Sequence, residues 1–318
     1  MAETPNSCAF RTSIGGQALI EGILMRGPKL QAIVCRTEEG LVEKVEPVST
    51  IRERYPVLKL PLLRGCVTFI ESMVKGMQAL TYSASLVPLE EQGEPDKIDL
   101  WLEKHFPAET AQKLIIGVSV VLGLGLSILL FVFLPALLVG FVKPLTQSFL
   151  VRNLSEGLVK VVILLGYMAL VSRMKDVKRL FSYHGAEHKS IFCYEKGLPL
   201  TVENVRVQSR FHPRCGTSFL LVVVLVSVLV NAMVRVSNTF ARVGWHLLLL
   251  PLVVGISYEI NRWCGGHDNW LSSLLSAPGK WLQRITTNEP DDDMIRCAIR
   301  ALELVIPQEK GSDLWGTY

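Results

Sequence analysis

A long uncharged stretch near the middle of the chain limits the folds that it can adopt. Every residue from Leu114 to Val142 is uncharged, and most are apolar. A helix needs about twenty such residues to cross the hydrocarbon core of a bilayer. Further apolar stretches follow at Leu158–Val171, Phe219–Val234 and Trp245–Ile260. The sequence therefore predicts a mainly α-helical, polytopic membrane protein with about four transmembrane helices.

Composition agrees with this fold class. Only 19% of the 318 residues are charged, which is below the roughly 25% that is usual in soluble domains. The net charge of +4 is small and lies spread along the chain, which argues against nucleic-acid binding. The seven cysteines are scattered and include no C-x-x-C pair, so we expect most of them to be reduced in the cytosol.

The N-terminal third is predicted to lie outside the membrane or at its surface, and whether residues 62–86 enter the bilayer stays open. Residues 1–60 combine Gly and Pro with short β-branched runs and predict a small cytosolic β-containing region with a hairpin. Residues 61–113 predict amphipathic, interfacial helices and an acidic linker. The first of these helices is expected across residues 62–86, and a short one near residues 98–106.

Basic residues predict the orientation of the chain. Within the membrane domain, residues 114–260, the loop at 173–218 carries far more Lys and Arg than the other connections between apolar stretches. Such loops stay in the cytosol, so this loop and both termini are predicted to be cytosolic. Residues 261–318 then form a cytosolic interfacial segment that ends in an amphipathic helix at Met294–Val305.

The cytosolic loop contains an H-x-x-E-H arrangement. His184 and His188 are four residues apart, so a helix places them on one face, where they could share a metal ion. Glu187 lies beside that face, where a carboxylate can act as a general base, and the same spacing occurs in inverzincin metalloproteases. The alternative is a chance match on a solvated helix face.

The identity of a third metal ligand stays open between His212, Cys215 and Glu259. Zinc favours nitrogen and sulfur, and a catalytic site has three protein ligands, whereas a closed set of three histidines and a cysteine would be structural. Glu259 is a candidate because a carboxylate at the end of an apolar helix is costly unless it is paired or coordinating. Cys215 could instead be a nucleophile with His212 as its base, although Pro213 argues against a simple helical pairing.

Several segments together resemble one family: Ile14–Pro28, Leu60–Gly65, Tyr183–Lys189, Arg210–Phe219, Ser257–Glu259, Pro278–Gly279 and Thr286–Asp292. The pattern resembles the YqhQ-like family of multi-pass membrane proteins from bacteria and plastids, which have unknown function and are described as predicted metal-dependent enzymes. The resemblance implies the motif positions His184, Glu187, His188, His212, Cys215 and Glu259. It also adds Glu21, Arg26 and Glu289 as motif residues.

We therefore expect an integral protein of the bacterial cell membrane with a divalent metal ion, zinc, at the cytosolic membrane face. Its activity would be hydrolysis of a membrane-proximal substrate, peptide or lipid-linked, with Glu187 as the base. The alternative is a non-enzymatic membrane scaffold or assembly factor with a structural metal site. A transporter ranks third, because the predicted spans contain few charges. The lipid bilayer is the expected partner.

Overall fold

The computed structural model describes residues 9–87, 105, 107–141, 148–233, 235–236 and 238–316. The chain forms two compact units. The first comprises Met1–Leu86, Leu165–Val226 and Pro251–Tyr318, and the second comprises Val87–Leu164 and Ser227–Leu250. The predicted helix near residues 98–106 and the linker before it lie outside the described residues, apart from residue 105.

The N-terminal part of the first unit is a four-stranded antiparallel sheet in the order β1-β2-β3-β4. Its strands are β1 Gly15–Leu19, β2 Gly22–Arg26, β3 Leu30–Thr37 and β4 Gly40–Pro47. The turn between β1 and β2 places Glu21 at a φ of +50°, in the left-handed region that few residues adopt. The sheet confirms the predicted β-containing region, and β3–β4 is the predicted hairpin.

The rest of the chain is mainly helical. The helices are α1 Ile51–Arg54, a 3₁₀ turn Pro56–Lys59, α2 Leu63–Ser85, α3 Ala108–Ile128, a π-helical turn Leu129–Phe133, α4 Leu134–Gly140, α5 Phe149–Val171, α6 Lys175–Glu195, α7 Val202–Arg206, α8 Gly216–Asn231, α9 Thr239–Gly266, α10 Trp270–Thr286 and α11 Asp292–Glu303. Helix α2 confirms the helix predicted across residues 62–86. Helix α11 confirms the final predicted helix, and Asp291 caps it by accepting a hydrogen bond of 2.8 Å from the Met294 N–H.

Helices α6 and α11 pack on the sheet and form the core of the first unit. Ile23 of β2 and Val34 of β3 are completely buried in this core. Helix α6 contributes Tyr183 and Ala186, and α11 contributes Leu302. Because α6 also carries the H-x-x-E-H residues, burial of its Tyr183 side sets the direction in which the histidines point.

Three helical segments are long and apolar enough to cross a membrane: Leu114–Gly140, Phe149–Val171 and Thr239–Gly266. They are consistent with a membrane protein. The second of them, α5, begins at Phe149, well before the predicted start at Leu158. It therefore includes charged residues that the sequence analysis left outside the span.

The predicted third span, Phe219–Val234, corresponds to α8, which has only 16 residues. That is shorter than the about twenty residues needed to cross a bilayer. In the part of the chain that the structure describes, three segments reach that length, so the structure supports three of the about four predicted spans and the remaining one, Phe219–Val234, stays a prediction. Asn153 ends α8, since its side-chain amide donates to the carbonyl oxygens of Asn231 and Ala232 at 2.9 and 3.0 Å.

Candidate metal centre

Helix α6 brings His184 and His188 together. They are one helical turn apart, and their ring centroids lie 4.4 Å from each other. Both side chains are buried, with exposed fractions of 9% and 2%. The pairing that the spacing predicts is therefore present, on a face that the protein covers instead of leaving to solvent.

Cys215 joins the two histidines from the residue before α8. Its sulfur lies 3.2 Å from Nε2 of His184, and Cys215 is buried. One donor atom from each of these three residues lies within 4.8 Å of the other two. Among the described residues, this is the one group of three or more His, Cys, Asp or Glu side chains with the spacing of a metal site.

Backbone carbonyl groups orient both imidazoles. Nδ1 of His184 lies 2.8 Å from the carbonyl oxygen of Thr286, and Nδ1 of His188 lies 2.5 Å from that of Arg210. A carbonyl oxygen only accepts, so each Nδ1 carries the proton and donates it. In the neutral ring, this leaves Nε2 with a free lone pair. Histidine ligands in metalloproteins are commonly held in this way.

A glycine permits the contact that orients His184. A Cβ atom on Gly185 would lie 2.0 Å from the carbonyl oxygen of Asn288, so a larger residue would push the two segments apart. The Asn288 N–H donates to the carbonyl oxygen of Phe181 at 2.9 Å. The segment after α10 is thus fixed against α6, which brings the carbonyl group of Thr286 to the imidazole.

Electrostatics favour a thiolate at Cys215. Burial opposes ionisation of this thiol, but the adjacent His184 and His188 lower its pKa well below the usual value. Burial likewise disfavours the charged form of His184, but Cys215, Glu187 and the Thr286 carbonyl group together outweigh it and raise the pKa of His184 to about 9. Without a metal ion, the two groups therefore form an imidazolium–thiolate pair. Since metals bind the thiolate, this pair keeps the sulfur in the state that coordination requires.

Glu187 lies beside the cluster with one oxygen uncommitted. Its Oε1 accepts a hydrogen bond of 3.0 Å from the N–H of Gly16 in β1. Its Oε2 is buried and has no hydrogen-bond partner among the described residues. Burial raises the pKa of Glu187, against the attraction of His184 and His188. The site therefore contains a carboxylate with a higher proton affinity than usual and one free oxygen.

His212 is close to the cluster but bonds elsewhere. Its Nε2 lies 3.4 Å from Oε2 of Glu195, and its ring packs 4.5 Å from that of Phe192. Burial lowers the pKa of His212 to about 4, so the ring is neutral at pH 7. His184 contacts the Cys215 sulfur, and His212 is not among the three converging residues.

Glu259, the remaining candidate ligand, pairs with a cation. The Arg64 Nε donates to its Oε1 at 2.7 Å, and a second guanidinium nitrogen binds its other oxygen. This pairing meets the requirement that made Glu259 a candidate, because a carboxylate on an apolar helix needs a partner. The structure does not bring Glu259 into the His184, His188 and Cys215 group.

The further motif residues support α6. Glu21 accepts from Nη2 of Arg179 at 2.6 Å and from the hydroxyl group of Tyr183 at 3.0 Å. Glu289 pairs with Lys189 at 2.7 Å. Arg26 is a partly buried residue of β2. Glu21 and Glu289 therefore hold the helix that carries the histidines.

Sequence reasoning did not assign roles to the groups that position the site. Gly16, Gly185 and Thr286 act through a backbone N–H, a missing side chain and a backbone carbonyl group. All three residues lie in the segments that resemble the family. Their position in these segments was the one sequence feature that pointed to them, because a role played by a backbone group cannot be recognised from the residue type.

The donor set fits a divalent transition-metal ion. Two imidazole nitrogens and one thiolate sulfur are ligands that zinc prefers. His184, His188 and Cys215 could hold such an ion, and Glu187 could take a proton beside it. The molecule thus combines three helices of membrane-spanning length with a buried histidine–cysteine cluster.

Comparison with known proteins places the chain in a family. Residues 60–308 match the family described as "Protein of unknown function (DUF1385)", and the chain belongs to it. It is 34% identical over 308 residues to "Uncharacterized protein YqhQ" of Bacillus subtilis (strain 168), with 94% of each chain covered. No solved structure matches. The predicted resemblance is confirmed, and since neither description states a reaction, function is argued from the site.

Proposed function

We propose that this protein is an integral membrane protein that binds a zinc ion through His184, His188 and Cys215. We further propose that it is a metal-dependent hydrolase that acts on a membrane-proximal peptide or lipid-linked substrate. The observation that carries the proposal is the convergence of three nitrogen and sulfur donors within 4.8 Å of one another. The carbonyl groups that orient both imidazoles support the proposal. Histidine ligands of metal ions are commonly held in this way, whereas histidines that lie together by chance do not require fixed rings.

The number of ligands favours a catalytic ion over a structural one. Structural zinc sites have four protein ligands, whereas catalytic sites have three and leave one position open. His212, the nearest further imidazole, is bonded to Glu195. A bound zinc ion would supply Lewis acidity at the remaining position.

Glu187 is the proposed general base. The N–H of Gly16 holds Oε1 and thereby fixes the carboxylate, which leaves Oε2 to take a proton from the attacking water molecule. Burial raises the pKa of Glu187. A base must first accept the proton and then return it to the leaving group, and a pKa closer to neutral helps both steps.

We place the site at the cytosolic face of a bacterial cell membrane. The basic segment at 173–218 supports this orientation. Both termini then lie on the same side, with α8 and α9 crossing the membrane as the third and fourth spans. Cys215 immediately precedes the apolar helix α8, which supports a substrate at the membrane surface. The relative in Bacillus subtilis supports a bacterial membrane.

A non-enzymatic scaffold or assembly factor is the second candidate, and burial favours it. His184 and Cys215 are only 9% and 3% exposed, so a substrate requires an opening movement. A structural ion would hold α6, the segment before α8 and the end of α10 together. Its removal would then increase hydrogen exchange throughout these segments. Removal of a catalytic ion would leave the protection of α6 unchanged.

Elemental analysis of the purified full-length protein tests the ligand assignment. We expect about one zinc ion per chain, and its loss in His184→Ala, His188→Ala and Cys215→Ser. His267→Ala and Cys264→Ser are matched controls, because His267 is exposed and stacks on Trp263, and Cys264 is a half-buried free thiol. Metal content unchanged in His188→Ala would refute the assignment.

A further inference from the structure

A second cluster of ionisable side chains lies in the second unit, on two helices of membrane-spanning length. Its members are Arg152, Glu156 and Lys160 of α5, and Arg242 and His246 of α9. Each is at most 6% exposed. The spacing of four residues on each helix puts the members on one face. Buried ionisable groups in membrane-spanning helices are costly, and they commonly mark a functional site.

Glu156 is the centre of the cluster. Its Oε2 accepts from Nε of Arg242 at 2.5 Å, and its Oε1 lies 2.9 Å from Nζ of Lys160. Nδ1 of His246 is 3.2 Å from the same Oε1. These contacts join α5 to α9. In the described part of the chain, Glu156 is the carboxylate with which Lys160 and Arg242 pair.

The cluster has more positive than negative charge. Arg152, Lys160 and Arg242 carry three positive charges against the single negative charge of Glu156. Arg152 has no carboxylate partner among the described residues. Its guanidinium carbon lies 5.6 Å from the ring centroid of Phe149, a contact that does not neutralise its charge. Arg152 and Arg242 also repel each other, which is unfavourable in a buried site.

Two buried N–H groups in the cluster lack an acceptor. Nε of Arg152 and Nη1 of Arg242 have no hydrogen-bond partner in the described part of the molecule. A guanidinium nitrogen always carries a proton to donate. A buried donor that makes no hydrogen bond lowers the stability of the fold.

A structural role explains only part of the cluster. Asn153 bonds the end of α8, and Arg242 binds both Asn153 and Glu156. Arg152 contributes to none of these contacts. An apolar residue in its place would therefore preserve the contacts between the helices at a lower free-energy cost. The excess charge and the unpaired donors of Arg152 and Arg242 have one simple complement, an anion.

We propose that Arg152 and Arg242 bind a phosphate-type anion where α5 and α9 begin. The group is either the phosphate of a lipid headgroup or free inorganic phosphate. Guanidinium groups suit this ligand because their planar N–H donors match phosphate oxygens and keep their charge when buried. The site is separate from the metal cluster and does not depend on the proposed hydrolytic function.

The test measures binding to the full-length protein in two arms. In the first, the protein in neutral detergent is titrated with inorganic phosphate, and thermal unfolding is followed. In the second, it is placed in nanodiscs of zwitterionic lipid with or without phosphatidic acid. The variant is Arg152→Gln, because Arg152 makes no described ion pair and its loss leaves the Glu156 contacts intact. Arg173→Gln is the control, since Arg173 is exposed just after α5.

Stabilisation of the wild type and of Arg173→Gln by either anion, with binding at least about tenfold weaker in Arg152→Gln, supports the site. A response to phosphate identifies a free anion, and a response to phosphatidic acid alone identifies a lipid headgroup. Arg152→Lys, which keeps the charge but not the planar donors, should bind with intermediate affinity. Absence of stabilisation in both arms, or equal stabilisation of Arg152→Gln and wild type, overturns the proposal. Metal content should be the same in all these variants.

Discussion

Nε2 of His184 lies 3.2 Å from the sulfur of Cys215, although the two residues are 31 positions apart in the chain. This contact converts a local pair of histidines into a three-donor site. It also sets the protonation of the metal-free protein, because each group stabilises the charged form of the other.

Zinc affinity should rise with pH from neutral to about pH 9. The pKa of His184 is raised to about 9, so below that pH the metal-free protein carries a proton that zinc must displace. One displaced proton lowers the affinity by up to about tenfold per pH unit below the pKa. Competition with a chelator of known pH dependence, at a series of pH values, measures this slope. A flat profile between pH 7 and 9 would show that His184 is not protonated or is not a ligand.

Gly185→Ala should destabilise the protein by about 1–3 kcal/mol. Its new Cβ would collide with the carbonyl oxygen of Asn288, only 2.0 Å away. Denaturant unfolding measures the change, and zinc affinity should fall as the Thr286 carbonyl group shifts. Gly166→Ala is the control, since Gly166 lies in α5 with nothing within 4 Å of its Cβ position. Equal stability of the two variants would contradict the close packing of α6 against the segment after α10.

Glu187→Gln should keep its zinc and lose hydrolytic activity. The amide oxygen can still accept from the N–H of Gly16, but the side chain no longer takes a proton at neutral pH. We expect at most about a tenfold loss of metal affinity, the lower end of the effect of outer-shell partners. Chelator competition tests the affinity before any substrate is known. Complete loss of zinc would instead make Glu187 a ligand and remove it as the base.

The exposed face of α2 should contact lipid. Ile70, Met73, Val74 and Met77 recur at helical spacing and are 43–60% exposed, which is typical of a helix at the membrane interface. A nitroxide label at Met73→Cys in nanodiscs should be accessible to oxygen and protected from a water-soluble relaxation reagent. The same label at Leu41→Cys, on exposed β4, should show the opposite pattern. Equal accessibility at both positions would place α2 in water.

Local relationships were predictable from the sequence, and long-range ones were not. His184 and His188 share a face because helix geometry alone brings residues four apart together. By contrast, the choice between His212, Cys215 and Glu259 depends on tertiary packing. Two of these candidates bond to other residues instead: His212 to Glu195 and Glu259 to Arg64. These partners are far away in the sequence, so the sequence alone does not reveal the pairings.

The apolar helices show the same difference between local features, which the sequence predicts, and long-range contacts, which it does not. The uncharged stretch from Leu114 to Val142 predicted its helix because composition alone decides that case. Helix α5 begins at Phe149 and not at the predicted Leu158, because Arg152 and Glu156 interrupt the apolar pattern and their burial depends on tertiary packing. Helix α8 ends at Asn231, before the predicted Val234, and the Asn153 side chain that bonds its last carbonyl groups belongs to another helix.

The hydrogen bond from Gly16 to Glu187 has a consequence for shortened versions of this protein. A fragment trimmed to the family-matching residues, 60–308, would retain each candidate zinc ligand. It would lack the sheet, however, and with it the amide that anchors the Glu187 carboxylate and the strands that cover Tyr183. Such a fragment should be prone to aggregate through its bare helical surface, and experiments on the site therefore require the N-terminal strands.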